Sequence, residues 1–594
     1  MNKINFFLAA LWLCMISQPL FSQANKPQVS VTGGQGENVF YHTVEQGQTV
    51  YSISLMYDVG EEDIYLLNPT SRHSIKVGQK LKIPQKELSV VTDGQQDEMY
   101  LYHTIQTGET LYGVSKLYKV PAEEISEANP GLTFQTFAAG KTIRIPAAKI
   151  QSAPVTVTKT VVKKIEYTIK KKETMYGICK KFNTTSDKLI QYNPELQAGL
   201  KVGMLIIIPV ETEETVTIAP EQKEFDINAL MAFRKEIQKT SVAKIALLLP
   251  FQISDTQTSA RFAEYYEGFL MAVDSMRNAG LSVELSVYDI GDNDQKIKTV
   301  LGNEALLNAN LLIGGVTNEQ IGLIAEFALK NGIKYVVPSS SKCDKLTSGN
   351  ACIFQVNTSY QYLFSYATAR ACALFANYNI ILLNTHDKDE KTLFINTFKA
   401  DMKERKIPFR ELSFNEKSFP ADLTGALIPN KPNLIVPLSG SIEALHKIKA
   451  TLRTLADTKP EYQLTLFGYP EWQTYTNECL EDFFALNTYI YTSFYANNLS
   501  PDVQRFNAKY KYWYKKNIAL SYPKYAMLGF DTGMFFISAI SQYGANFESN
   551  INQLKYNSIQ TGFRFERVNN WGGFINTNMY IVRFNRNFTI TRTE

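Results

Sequence analysis

The chain has no CxxC pair, no HExxH, no GxSxG and no P-loop. The usual sequence marks of thiol-bound zinc, zinc proteolysis, serine hydrolysis and phosphate binding are therefore missing. Histidine is scarce: His42, His73, His103, His386 and His446 make up all five, and no two are spaced as a metal pair. Charge of one sign is lacking too, since 61 Lys+Arg face 57 Asp+Glu, a net +4 over 594 residues. That balance gives no footprint for a nucleic-acid partner. A mean hydropathy of −0.18, with one apolar run near the start, excludes a polytopic membrane protein. At about 150 residues per domain, the length predicts about four units. No motif calls for a cofactor or a metal.

What is present begins with that apolar run. Lys3 supplies a positive start, residues 6–16 are mostly apolar, and Ser22-Gln23-Ala24 offers the small residues that a signal peptidase reads. Residues 1–24 are expected to be a cleaved signal peptide, which implies export to the periplasm or cell envelope and no membrane span in the mature chain. Cleavage leaves five cysteines, Cys179, Cys343, Cys352, Cys372 and Cys479, so at least one thiol stays free. The close pair Cys343 and Cys352 either closes a small disulfide loop or stays as two buried thiols. Ser339-Ser340-Ser341-Lys342 fits SxxK formally but has no KTG companion. The cysteines beyond residue 300 have only His386 and His446 as candidate bases. The chain is read as non-enzymatic.

Internal repetition dominates the first third. The string YHTVEQGQTVYSI at 41–53 recurs as YHTIQTGETLYGV at 102–114 and EYTIKKKETMYGI at 166–178. Each continues to an Asn-Pro pair (Asn68-Pro69, Asn129-Pro130, Asn193-Pro194) and closes on a glycine, an apolar alternation and a proline. The first unit reads as a short strand stopped at Gly47, then a helix capped by Thr49 with Ile53 and Tyr57 on one face. A second helix carries Ile64 and is stopped by Asn68-Pro69, and Leu81 and Ile83 alternate in a closing strand. Ile53, Tyr57, Ile64 and Leu81 are expected in the core, and Tyr51, Tyr112 and Tyr176 are read as core ahead of ligand contact.

These units resemble the LysM domain, a small βααβ module that binds N-acetylglucosamine-containing glycans such as peptidoglycan. Boundaries of 40–85, 101–147 and 165–210 are expected. The resemblance implies a shallow groove between the first strand–helix loop and the loop after the second helix. It would be lined by Gly47, Gln48, Thr49, Val50, Pro69 and Ile75 in the first repeat, and by Gly108, Glu109, Thr110, Leu111 and Pro130 in the second. The third offers Glu173, Thr174, Met175 and Pro194, with Lys172 at the loop-glycine position. Val50 and Leu111 are read as seats for an acetamido methyl. The linkers at 85–99 and 147–165 read as flexible or extended, so several weak contacts can act together.

Residues 211–241 read as an acidic, Thr-rich spacer and an amphipathic helix. From 242 the texture changes to short apolar strands (243–251, 283–290, 310–316, 334–338, 379–384, 433–438, 464–469) separated by helical stretches. This alternation predicts an α/β fold with mostly parallel sheets, in two lobes, since about 350 residues exceed one core. The stretches 312–320, 335–341, 466–473 and 525–531 resemble type I periplasmic binding proteins of the leucine/isoleucine/valine-binding class, a bilobal fold also seen in penicillin-binding-protein activators. The resemblance implies a small ligand between the lobes at the carboxyl ends of strands. Thr317, Asn318, Ser339, Ser340 and Ser341 are the candidates there, with helix capping as their competing role. The combined expectation is an exported peptidoglycan-binding protein. Its second half would be a receptor for an amino acid, peptide or wall fragment. The alternatives are a regulator that contacts a cell-wall synthesis or transport protein, and a cell-wall hydrolase.

Overall fold

The computed structural model describes residues 39–57, 59–72, 74–84, 100–146, 156–217, 240–387 and 391–593. They form two compact units that divide after Asp93. The expected signal segment, the 85–99 linker and the helix read at 227–237 lie outside the described residues. No described helix is long and apolar enough to cross a membrane.

Repeat one runs β1 (Val39–Thr43), helices Val50–Tyr57 and Glu61–Leu67, then β2 (Lys80–Pro84). Repeat two runs β3 (Tyr100–Thr104), helices Leu111–Tyr118 and Ala122–Ala128, then β4 (Thr142–Pro146). Repeat three runs β5 (Thr156–Thr168), helices Met175–Lys181 and Ser186–Tyr192, then β6 (Leu205–Thr217). The two strands of each repeat pair antiparallel. Ile53, Tyr57, Ile64 and Leu81 are buried as expected. Tyr51 is half-buried, and two of the three tyrosines run the other way: Tyr112 is 55% and Tyr176 77% exposed. Their helix positions face away from the small core.

The Asn-Pro pair does more than stop a helix. Asn68 Nδ2 donates to the Ile64 carbonyl at 2.9 Å and the Lys82 carbonyl at 2.7 Å, and its Oδ1 accepts from the Lys82 N–H at 2.9 Å. Asn129 makes the same three bonds to Ile125 and Arg144 at 2.6, 2.7 and 2.8 Å. Asn193 makes them to Leu189 and Ile207 at 2.8, 2.6 and 2.6 Å. One side chain thus staples the end of the second helix to the middle of the closing strand.

In repeat three the paired strands run on beyond the expected 165–210 unit. Its strands continue as a ribbon paired from Thr168↔Leu205 out to Thr156↔Thr217. Most of what read as linker and acidic spacer is therefore sheet. The Val/Thr alternation at 156–162 finds its partner in the equally Thr-rich 211–217 segment.

The large domain contains two sheets of one design. In the first, β7 (Val242–Leu249), β8 (Ser282–Asp289), β9 (Leu311–Gly314), β10 (Lys334–Val337) and β11 (Ile353–Gln355) are parallel in the order β8-β7-β9-β10-β11. In the second, β12 (Asn379–Asn384), β13 (Phe409–Ser413), β14 (Asn433–Pro437), β15 (Leu464–Gly468) and β16 (Tyr489–Thr492) repeat that order as β13-β12-β14-β15-β16. This is the doubly wound order whose switch point forms a crevice at strand carboxyl ends. Helices cover both faces, so strands such as Ile245–Leu249 are apolar throughout and buried. Four late strands complete the edges: β17 (Phe565–Arg567) and β18 (Phe574–Asn576) on the first sheet, β19 (Tyr580–Phe584) and β20 (Ile590–Thr593) on the second.

The chain passes between lobes three times, after β11, after β16 and after β18, and the passes are tied together. The Asn576 N–H donates to Thr358 Oγ1 at 3.0 Å, and the Tyr495 N–H donates to the Gln560 carbonyl at 3.1 Å. Asp531, fully buried in helix Tyr525–Tyr543, accepts from Tyr556 Oη and from the N–H groups of Ile559, Gln560 and Thr561 at 2.6–2.9 Å. Burial pushes its carboxyl up, against these four donors. Cys343 and Cys352 are separate buried thiols in one apolar cluster, so the expected disulfide alternative is not taken. Burial, with Asp344 beside it, pushes the Cys343 thiol up to about 12.

Replacing Asn129 by Ala removes its bonds to the Arg144 N–H and C=O inside repeat two. Hydrogen exchange over residues 100–146 is expected to show local stability lower by about 2–4 kcal/mol, with Asn68→Ala acting equally on repeat one.

Candidate functional site

The first loop of each repeat is built by its own side chains. Gly47 and Gly108 sit at φ 85° and 87°, and Lys172 holds the same turn at φ 74°. A lysine there is strained where glycine is not. The next residue locks the turn: Gln48 Oε1 accepts from the Glu45 N–H at 2.8 Å, Glu109 from Gln106 at 2.7 Å and Glu173 from Lys170 at 2.8 Å. The same groups reach inward to the first strand. His42 Nε2 lies 2.8 Å from Gln48, His103 Nε2 2.8 Å from Glu109, and Tyr167 Oη donates to Glu173 at 2.6 Å. Thr49, Thr110 and Thr174 then cap the first helix, accepting from Ser52, Gly113 and Gly177 at 3.0–3.1 Å.

These expected contact residues thus shape the loop with their side chains. Val50 and Leu111 are 6% and 1% exposed. They are core, and the reading of them as methyl seats is corrected. Met175 and Ile75 are half-buried, and Pro69, Pro130 and Pro194 are exposed on the second loop. Leu111 and Leu132 share the repeat-two core, which draws the two loops together. The apolar surface comes instead from Tyr112 and from Phe134, 52% exposed in the second loop. The aromatic at 112 was visible in the repeat; nothing in the pattern marked Phe134.

In the large domain, Thr317 caps helix Asn318–Asn331, accepting from the Gln320 N–H at 3.2 Å. Asn318 is the exposed first residue of that helix. The Ser339 carbonyl accepts from Asn357 Nδ2 at 2.7 Å, Ser340 Oγ accepts from the Lys342 N–H at 3.2 Å, and Ser341 is half-buried. The next helix begins only at Asp344, so Lys342 is not one helical turn from Ser339, as SxxK chemistry requires.

A denser polar cluster lies at the carboxyl edge of the second sheet. Lys391 Nζ pairs with Glu471 at 2.7 Å and stands 5.3 Å from the centre of the Tyr469 ring. Gln473 Nε2 donates to Thr492 Oγ1 at 3.0 Å, which lies 2.7 Å from Tyr522 Oη, itself 3.2 Å from Tyr360 Oη. Tyr522 packs on the first-lobe core, so this chain of hydroxyls spans the lobes. Burial first, and then the neighbouring Tyr522, push the Tyr360 hydroxyl far above its ordinary range. The 466–473 stretch carried the sequence signal for this cluster. Tyr360 and Tyr522, distant in the chain, carried none. Among the described residues, no group of His, Cys, Asp or Glu is arranged to hold a metal ion.

Residues 42–84, 103–146 and 167–209 match the family model of the LysM domain. The chain thus carries three LysM domains ahead of a bilobal α/β domain. Curated proteins similar to it include N-acetylmuramoyl-L-alanine amidase sle1 of Staphylococcus epidermidis, 25% identical over 168 residues, 28% of this chain and 50% of that one. The probable N-acetylmuramoyl-L-alanine amidase AmiB of Haemophilus influenzae is 24% identical over 136 residues, 18% of this chain and 32% of its own. The chain spans half or less of these relatives, and the amidases match only in the LysM region. Among solved structures, a putative branched-chain amino acid ABC transporter protein from Rhodospirillum rubrum covers 59% of this chain and 99% of its own, at 13% identity and TM-score 0.43. The substrate-binding protein LivJ from Streptococcus pneumoniae, in complex with isoleucine, also covers 59% and 99%, at 14% identity and TM-score 0.34. The two-lobe architecture rests on the strand orders themselves.

Burial of Glu109 opposes its charge, but the Gln106 N–H and His103 outweigh it and hold the carboxyl below its ordinary 4.5. The stability this carboxylate lends is complete above the unfolded value and fades as pH falls through the lower folded one. Glu109→Gln copies repeat one and removes that component. At matched pH, the wild-type advantage over the variant in hydrogen-exchange protection of residues 105–111 is expected to shrink on acidification below 4.5.

Proposed function

We propose that this is an exported, non-enzymatic protein of the cell envelope that holds peptidoglycan through its LysM domains and takes a small polar ligand between the lobes of its second half. The observation that carries the first part is the threefold recurrence of one loop geometry. A tight turn at 47, 108 and 172 is locked from inside, and in repeats two and three an exposed aromatic follows it at Tyr112 and Tyr176. An N-acetyl group needs one donor, one acceptor and an apolar rest for its methyl, and such a loop offers all three. Single shallow grooves bind weakly, so tethered repeats grip by avidity.

The receptor reading rests on the doubly wound crevice and on the cluster around Lys391, Glu471, Thr492 and Tyr522. Ligands of such crevices are fixed by a few convergent polar groups. A second reading, a regulator of wall synthesis or transport that works through protein contacts, draws on a different observation. Thr317 and Ser340 are already engaged in capping and turn bonds, and Glu471 is already paired with Lys391. The hydrolase reading has the least support: the described cysteines are buried, and burial raises the Cys343 and Cys372 thiols to about 12. A buried thiol of that kind is a poor nucleophile.

Pull-down of the mature chain on insoluble peptidoglycan is expected to require residues 40–210, and full retention after their deletion refutes the tether. For the crevice, the melting temperature of the full chain should rise with a saturating amino acid or muropeptide. A hundredfold excess over Kd contributes about 2.7 kcal/mol. A flat response across both ligand classes favours the regulator.

A further inference from the structure

The second LysM domain is packed against the large domain through the turn between β17 and β18. The Gly131 N–H donates to the Asn570 carbonyl at 2.6 Å, and Asn570 Nδ2 donates to the Thr142 carbonyl at 2.9 Å. Trp571, 2% exposed, lies 5.5 Å from the Tyr102 ring and 4.7 Å from the Arg144 guanidinium. The turn is stiff on its own side. Asn569 Oδ1 accepts from the Trp571 and Gly572 N–H groups, its Nδ2 donates to the Ser348 carbonyl, and Arg567 Nη1 donates to the Gly572 carbonyl at 2.6 Å.

Gly131 belongs to the loop after the second helix, one wall of the glycan groove. A Cβ there would lie 2.7 Å from Arg567 Cδ and 2.9 Å from the Asn570 carbonyl oxygen. The other repeats have Thr70 and Glu195 at this position, directly after their own Asn-Pro. Glycine at this point therefore answers a demand of the large domain, since the module itself folds around larger residues.

We infer that this contact is a latch on the second glycan site: the 567–573 turn and a glycan compete for the 130–136 loop, and repeat two binds sugar fully only when released. The inference rests on the reading of these loops as a glycan groove. Its physical basis is that the Asn570 carbonyl occupies a backbone donor on the groove wall and that Trp571 pins both strands behind it. A site competent in only a fraction of molecules shows an affinity reduced by that fraction. Linkage requires the converse, that bound sugar loosens the turn. The turn continues through β18 into the third crossing between lobes, so release is felt next to the hinge.

The test uses the full chain and an N-acetylglucosamine tetramer. Gly131→Thr gives repeat two the residue of repeat one and obstructs docking from the LysM side, and Trp571→Ala loosens it from the other side without touching the groove. Both variants are expected to bind the tetramer about threefold or more tighter than wild type in calorimetry. In the wild-type chain, saturating tetramer is expected to raise hydrogen exchange over residues 567–573. Variants with a loosened turn but unchanged affinity overturn the latch and leave the glycan reading standing. Absence of tetramer binding in every chain overturns the glycan reading, and the latch with it.

Discussion

One asparagine, buried in repeats two and three and half-buried in repeat one, holds each small domain together. A module of about 45 residues has too little apolar core to fix its own loops, and Asn68, Asn129 and Asn193 supply the missing constraint. Each pairs the N–H and the C=O of one residue in the closing strand, and each also takes up a carbonyl at the end of the second helix. The loop after the second helix begins at the next residue, a proline in all three. Its path is therefore set by a polar group in the interior, which permits the surface of that loop to vary from Thr70 to Gly131 to Glu195 without loss of the fold.

The large domain meets the opposite problem. Its two sheets have ample cores, and the constraint lies where three strands of chain cross between them. Asp531 organises the 559–561 segment with backbone bonds, and that segment in turn holds Phe494 and Tyr495 at the second crossing. Asn576 does the corresponding work between the first and third crossings. The hairpin that ends in Asn576 also presents Asn570 and Trp571 to the second LysM domain. The second LysM domain and the crossings between the lobes thus share one short piece of backbone.

Much of the fold was legible because its elements are periodic or apolar. The parallel strands Asn379–Asn384 and Leu464–Gly468 stand out as buried runs, and the helix at Asn318–Asn331 is preceded by a Thr that caps it. The late strands β17 to β20 were not legible. They are three to five residues long, their apolar residues are interrupted by Glu, Arg, Asn or Thr, and they owe their strand character to partners already in place. The ribbon of repeat three was missed for the same reason: Thr156–Val162 and Val210–Thr217 each look like linker until they are paired.

The loops of the small domains divide along the same line. Recurrence alone determined that three βααβ units exist, where their tight turns fall and which residues fill their cores, because these depend on local spacing within some 45 residues. Tertiary structure decided that Val50 and Leu111 belong to the core and that Gly131 is a docking surface. Those roles depend on which groups approach from elsewhere in the chain, in the last case from more than 400 residues away, and no local pattern encodes an approach of that kind.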